Sequence, residues 1–351
     1  MKNWKKLIAV AMAGAMSMSM LAACGSSSDS SAASSAPAAA SSAAASSASS
    51  AAASSVEKKD GDVKIAYIVK AKTDEFWTTM ETGAYAAAEE KGVTLEFQAP
   101  EKETDVEKQV QMVENAVVKG FDAIILSAAD STSLLPSIVK ANNAGIPVVL
   151  VNDTIDMDEL EKQGGKVETY VGISQYDAAA QAGVYAAENI EDGKICYLEG
   201  VPGVKALDDR LAGFQDQAPD FETVASQTAK CDRNEAYNVM QNVLNANPDV
   251  NVVWAVNAEM GQGAIQAIDQ MKKTGSISVF DFDASSDDLA AIEAGTLAGT
   301  VAQYPNKQAE AAIQACLDVL DGKTLEEHTE TPSLLVTAEN LDEYKAEMGI
   351  E

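Results

Sequence analysis

One histidine, His328, stands in a chain of 351 residues. It lies in "GKTLEEHTETP", far from any serine or cysteine motif, so nucleophilic catalysis of the Ser–His or Cys–His kind lacks its base. Cysteine is nearly as scarce. Cys24 falls in an N-terminal segment, and Cys196, Cys231 and Cys316 form an odd, widely spaced set with no CxxC pair. That spacing excludes a disulfide framework and a zinc-finger set. The three read as free thiols packed like small hydrophobes. Basic residues are outnumbered, 25 against 54 acids, for a formal net charge of −29. Such a chain repels phosphate backbones, which argues against nucleic acid as a partner. No GxGxxG, P-loop or HExxH motif occurs. A carboxylate pair suited to glycoside hydrolysis can always be nominated from so many acids, so that signal carries no weight. These absences argue against an enzyme, and neither a cofactor nor a metal site is expected.

The N-terminus does carry signals. "MKNWKKLIAVAMAGAMSMSMLAAC" has a basic start, an apolar stretch too short for a comfortable membrane span, and small residues before Cys24. Residues 1–23 read as an export signal, and "LAAC" looks like a bacterial lipobox, with Cys24 the lipidation site. Residues 25–55 are almost wholly Ser and Ala. Without large apolar side chains such a run cannot offset its ordering entropy, so 24–59 reads as a lipidated cysteine followed by a disordered tether. A flexible chain of that length spans roughly 30 Å. The expected location is extracytoplasmic, anchored by lipid to the outer face of the cell membrane.

From residue 62 short β-rich runs alternate with helical segments. Runs at 63–69, 94–99, 123–128, 147–152 and 169–174 are followed by others at 194–200, 223–229, 250–257 and 276–283. In "DVEKQVQMVENAVVKG", Val106, Val110, Val113 and Val117 fall on one stripe, and Gly120 supplies the stop. Nearly continuous apolar strands between helices predict parallel sheets covered on both faces. About ten strands with crossovers predict two α/β lobes. Ligands of such folds bind beyond the carboxyl ends of the strands. Asp74, Asp130, Asn152, Arg210, Asn257 and Asp283 each follow a strand.

"TDEFW", residues 73–77, places Phe76 and Trp77 side by side at the start of a helix. A helix spaces its core residues by three or four, so adjacent aromatics do not share one core stripe. One of them is expected to have another role.

With these residues in view, the chain resembles the type I periplasmic binding proteins, the sugar receptors of ABC transporters that include the ribose and glucose/galactose receptors. The resemblance covers about residues 62–340. It is carried by "GFDAIILSAADSTSLLPSIVKANNAGIPVVLVN", "YLEGVPGVKALDDRLAGF", "WAVNAEMGQGAIQAI" and "VFDFDASSDDLAAIEAGTLAGTVAQYP". It implies an α/β fold of two Rossmann-like lobes with parallel sheets, joined by a three-segment hinge. The lobes would comprise 60–171 plus 304–330 and 172–303 plus 331–351. It also implies a monomer that captures a hexose or pentose between the lobes and delivers it to the permease of an ABC importer. A sugar sensor of the chemoreceptor type is the alternative use.

The resemblance carries over residue by residue. Asp74, Phe76 and Trp77 match a polar residue and an aromatic pair that hold the sugar, whose C–H faces suit rings and whose hydroxyls suit carboxylates. Phe76 packing in the lobe core is the competing reading. Asn152 matches a sugar-contacting Asn or Asp. Arg210 matches an arginine that forks onto sugar oxygens, against a surface ion pair with Asp208 or Asp209. Asn257 matches an amide able to donate and accept. Asp283 matches an acid that takes two hydroxyls, against a cap for the helix "SSDDLAAI". Gln303 matches a hinge amide that also touches ligand.

Departures from the pattern fall at Asp153 and Asp208, where arginines are common, and at Cys231, where a second aromatic wall usually stands. Together with Asp130 these are further candidate contacts. A site that keeps acids and loses arginines need not fit ribose. A polyol or an amine-bearing ligand stays open.

Overall fold

The computed structural model describes residues 62–350. The export signal, Cys24 and the Ser/Ala tether lie outside the described residues.

Two six-stranded sheets form the frame. β1 (Lys64–Ile68), β2 (Thr94–Gln98), β3 (Ala123–Leu126), β4 (Val148–Val151) and β5 (Tyr170–Gly172) build the first. β6 (Lys194–Glu199), β7 (Glu222–Thr228), β8 (Val252–Ala255), β9 (Ser278–Phe282) and β10 (Gly299–Ala302) build the second. β11 (His328–Glu330) then returns to the edge of the first and β12 (Leu334–Thr337) to the edge of the second. The orders β11-β5-β4-β3-β1-β2 and β12-β10-β9-β8-β6-β7 are the same pattern twice. Every pairing is parallel except β12 against β10. β3, β4, β8 and β10 are buried at every residue, as strands covered on both faces must be.

Eleven helices cover the sheets among the described residues: α1 (Glu75–Lys91), α2 (Val106–Lys119), α3 (Leu135–Asn143), α4 (Met157–Lys162), α5 (Gln175–Asn189), α6 (Lys205–Gln217), α7 (Arg233–Ala246), α8 (Ala258–Gln270), α9 (Ser286–Glu293), α10 (Pro305–Leu320) and α11 (Leu341–Met348). The valine stripe of α2 is only partly the core face. Val113 is buried, but Val106, Val110 and Val117 are half-exposed. The neighbouring row, with Gln109 and Ala116, takes the inner position. Gln109 is tolerated there because its amide donates to the Ser127 carbonyl at 2.7 Å and accepts from the Ala129 N–H at 2.8 Å. Gly120 ends the helix in the left-handed conformation, φ 68°.

The chain passes between the lobes three times, at 173–174, 303–304 and 331–333. α5 packs on α6 and β10, whereas α10 returns to α1 and β4. α5 and α6 approach closely at Gly213, where a Cβ would lie 2.2 Å from the Tyr176 carbonyl oxygen. β10, β11 and β12 were not legible as strands from their patterning. β10 and β12 are four residues long and β11 three, and all of them flank the hinge.

Candidate functional site

In each sheet the strand order reverses beside the first strand of the lobe, β1 in one and β6 in the other. In open α/β sheets that is where ligands bind, beyond the carboxyl ends of the strands. A small cavity lies there, walled by both lobes. Most of the candidate residues meet in it.

From the first lobe come Asp74, Phe76, Trp77 and Asn152. Asp74 caps α1, its Oδ1 accepting the Trp77 N–H at 3.1 Å. Both aromatic rings are buried, Phe76 at 8% and Trp77 at 3% exposure, and pack edge to face with centroids 4.8 Å apart. Each belongs to the core and also to the cavity wall. The choice between core and ligand for Phe76 is thus not a choice in the structure. The first turn of α1 is enclosed on two sides, by the lobe interior and by the cleft.

From the second lobe come Arg210, Cys231, Asn257 and Asp283, with Gln303 from the hinge. Arg210 is buried, so it is not a surface ion pair. Asp209 is held instead by Lys205 at 2.6 Å. Arg210 Nε donates to Gln175 Oε1 at 2.8 Å and Nη1 to the Val256 carbonyl at 2.9 Å. Its guanidinium carbon sits 3.9 Å from the Phe282 ring centroid. Nη1 also lies 3.4 Å from Asp283 Oδ1. Asp283 does not cap the following helix. Ser285 does, in a capping box with Asp288. Asn257 caps α8, its Oδ1 accepting the Met260 N–H at 3.1 Å.

Hydrogen bonds join these groups into a ring through the hinge. Asn152 Nδ2 donates to Gln303 Oε1 at 2.7 Å. Gln303 Nε2 donates to Asp283 Oδ1 at 2.5 Å. Asp283 faces Arg210, Arg210 donates to Gln175, and Gln175 Nε2 returns to the Asn152 carbonyl at 2.9 Å. Tyr170 Oη adds a bond to the same carbonyl at 2.9 Å. Asn152, Cys231 and Asp283 all have positive φ, 60°, 57° and 100°. Such backbone costs energy and tends to persist where a site needs it.

Asp130, Asp153 and Asp208 do not line the cavity. Asp130 folds its own loop, Oδ1 accepting the Thr132 N–H at 2.9 Å and the Ser133 N–H at 2.6 Å. Asp208 lies with Gly203 and Lys205 in a separate surface depression. Asp153 is buried behind the wall, where it accepts from Ser127 Oγ at 2.6 Å. Three wall residues were missed in the sequence: Lys70, Glu103 and Leu207. Lys70 and Glu103 follow β1 and β2, so the same strand-end rule would have nominated them.

Charge is concentrated here. Burial, then the carboxylates of Glu103 and Asp283, push Asp74 up to about 8 from a usual 3.8. Folded protein therefore binds this proton more tightly than unfolded chain does. Asp74 thus makes stability fall as pH rises from about 4 to about 8, with no further change above. In urea unfolding between pH 4 and pH 9, Asp74→Asn should decline less steeply than wild type over that window. Parallel curves would refute the shift.

The lobes are latched on both flanks of the cavity. On one, Glu75 Oε2 accepts from Ser286 N–H at 3.0 Å and Ser286 Oγ–H at 2.6 Å. The carboxylate thereby meets the N-terminus of α9. On the other, Ser131 N–H donates to the Gly203 carbonyl and Lys205 N–H to Ser131 Oγ, both at 3.0 Å.

Residues 65–324 match the family described as periplasmic binding protein domain. The chain belongs to the periplasmic binding protein family. As a member it is a binding protein rather than an enzyme. It is 32% identical over 275 residues to the ribose import binding protein of Bacillus subtilis, covering 78% of this chain and 87% of that one. It is 32% identical over 284 residues to the D-ribose/D-allose-binding protein of Pseudomonas aeruginosa, covering 78% and 89%. A periplasmic binding protein of Actinobacillus succinogenes, solved with D-allose, superposes with a TM-score of 0.77 at 31% identity, covering 81% and 100%. A solute-binding protein of Bacillus halodurans, solved with myo-inositol, gives 0.74 at 29% identity, covering 82% and 99%. Two lobes with parallel-dominated sheets are the architecture shared with these neighbours.

Proposed function

We propose that the chain captures a monosaccharide between its lobes and delivers it to the permease of an ABC importer. The observation that carries this reading is the cavity wall. It combines the Phe76 and Trp77 rings with a carboxyl group at Asp74, carboxylates at Glu103 and Asp283 and donors at Arg210, Asn257 and Gln303. Rings suit the C–H face of a sugar, and the charged groups suit its hydroxyls. Residues 60–171 plus 304–330 and 172–303 plus 331–351 act as the halves of the clamp. The protein works as a monomer, held to the outer face of the membrane by lipid on Cys24.

Closure follows from differential affinity: sugar binds the closed form better and shifts the equilibrium toward it. Glu75→Gln weakens a contact made across the cleft by lobes that have closed. It should therefore weaken sugar binding about 3–10-fold although Glu75 is not part of the central cavity wall. Small-angle scattering of the liganded variant should show a larger open fraction at equal sugar concentration. Unchanged affinity and shape would remove the latch.

Thermal unfolding of the full chain against pentoses, hexoses and inositol tests the function. A sugar at ~100 times its dissociation constant adds roughly 2.7 kcal/mol, a readily visible shift. Silence with every sugar would overturn the reading.

A further inference from the structure

After β12 the chain turns back as α11. The helix packs on the second lobe, where Leu341 and Tyr344 join the core, and Lys345 Nζ ties it to Glu293 of α9 at 2.6 Å. Its last turn then reaches the other lobe. Glu347 Oε1 accepts from Lys307 Nζ of α10 at 3.2 Å, and Glu347 Oε2 accepts from Tyr304 Oη at 3.5 Å. Met348 and Ile350 line one depression with Thr79 and Asn306 of the first lobe and Ser285 of the second.

Tyr304 is the residue on which these contacts converge. It stands at the second passage between the lobes and turns the chain from β10 into α10. Its backbone is left-handed, with φ 50° and ψ 64°. A bulky side chain rarely takes that conformation, which persists where the surroundings over-determine it. Here α11 supplies those surroundings. The Tyr304 ring is buried, its centroid 6.0 Å from that of Tyr344 and 4.2 Å from Lys307 Nζ. One carboxylate, Glu347, takes the hydroxyl and the ammonium together. The ion pair is half-exposed, and such a pair contributes little by itself. The weight of the contact lies with the two rings.

Both sides of Tyr304 lead to the cavity. Gln303, just before it, joins Asn152 of one lobe to Asp283 of the other. Asn306, just after Pro305, lies so close to α1 that a Cβ on Gly83 would sit 2.8 Å from its Cα. Packed this tightly, α1 and the start of α10 move as one piece. The first turn of α1 carries Asp74, Phe76 and Trp77. A backbone rotation at Tyr304 would therefore break the Gln303 bridge and swing that wall outward.

We propose that α11 is a strap across the hinge. It holds Tyr304 in the left-handed turn, and so keeps Gln303 aimed and the lobes closed on their ligand. Tyr344 and Glu347 are positioning residues, and neither belongs to the wall of the central cavity. Such a strap acts on release. The ligand leaves when the lobes open, so a weaker strap raises the dissociation rate and leaves the association rate alone. This inference rests on the sugar-binding reading.

The test uses the full chain with D-ribose, D-allose and myo-inositol, and follows whichever shifts thermal unfolding most. Stopped-flow fluorescence reads its association and dissociation rates. Tyr344→Leu keeps an apolar side chain in the core and loses the ring. It should release the probe about 10-fold faster, with an association rate within about twofold of wild type. Glu347→Gln should release it about 3-fold faster. Damage to folding alone would lower the melting temperature without moving the dissociation rate of the molecules still folded. Tyr304→Gly removes ring and strain together, since glycine takes positive φ freely. Adding Tyr344→Leu to Tyr304→Gly should then change the rate by no more than about twofold. A chain ended after Ala346 replaces Tyr344→Leu if that variant does not fold, and should release the probe at least as fast as Glu347→Gln. Wild-type dissociation rates in the variants that fold, or fully additive effects in the double variant, overturn the strap and leave sugar binding standing. Silence of the wild type with all three probes overturns both.

Discussion

Asp283→Ala should weaken sugar binding by about 1,000-fold, beyond what titration normally reads. Asp283 holds three partners at once: Gln303 through Oδ1, Arg210 at 3.4 Å, and the Ala258 N–H at 3.4 Å through Oδ2. Its removal leaves Arg210 buried, still bonded to Gln175 and Val256 but without its counter-charge. Truncating one member of a buried, hydrogen-bonded charge pair costs about 2–5 kcal/mol, or ~30- to 5,000-fold in affinity. The backbone adds to this. At φ 100° an Asp or Asn is better tolerated than Ala. Asp283→Asn separates the contributions: it keeps the shape and the bond from Gln303, loses the charge, and should bind about 30-fold more weakly. Calorimetric titration of both variants checks the pair. An Ala variant within tenfold of wild type would take Asp283 out of the site.

Trp77→Ala is expected to damage two properties together. The ring is 3% exposed, packs on Phe76, and belongs to the first-lobe core as well as to the cavity wall. Truncating a buried Trp costs about 3–5 kcal/mol, a large part of the ~5–15 kcal/mol that holds a typical protein together. The melting temperature should fall by about 10 °C, and sugar affinity should disappear. Trp77→Phe retains most of the core contact and a stacking face but loses the indole N–H directed at Glu103. It should melt within a few degrees of wild type and bind measurably more weakly. A Trp77→Ala variant with wild-type melting would show that the ring serves the cleft alone.

The alternation of strands and helices was legible because each run is long enough to show its period. The strand-end residues were legible because the fold puts ligands beyond the carboxyl ends. Lys70 escaped the same rule because a lysine at a strand end reads as solvated. Only the buried carboxylates of Asp153 and Glu103, distant from it in sequence, make its burial tolerable. Asp153 was misplaced for a local reason. Its neighbour Asn152 takes positive φ, which sends adjacent side chains in directions that strand alternation does not foresee. Phe76 and Trp77 posed a choice between core and ligand that the helix resolves by placing one turn against both. Arg210 and Asp283 each carried a bland alternative, a surface ion pair and a helix cap. Nearby Asp209 and Ser285 fill those parts.

The ring through Asn152, Gln303, Asp283, Arg210 and Gln175 has a consequence for how such a receptor diversifies. Its members touch the cavity or hold those that do, and the ring runs through the hinge. A substitution there changes the bending of the protein together with its taste for a sugar, and the second change cannot be selected without the first. Lys70, Asp74, Phe76, Trp77, Glu103, Leu207, Cys231 and Asn257 stand in the wall but outside the ring. New sugar preferences, whether evolved or engineered, should therefore be won at those positions while the ring is kept.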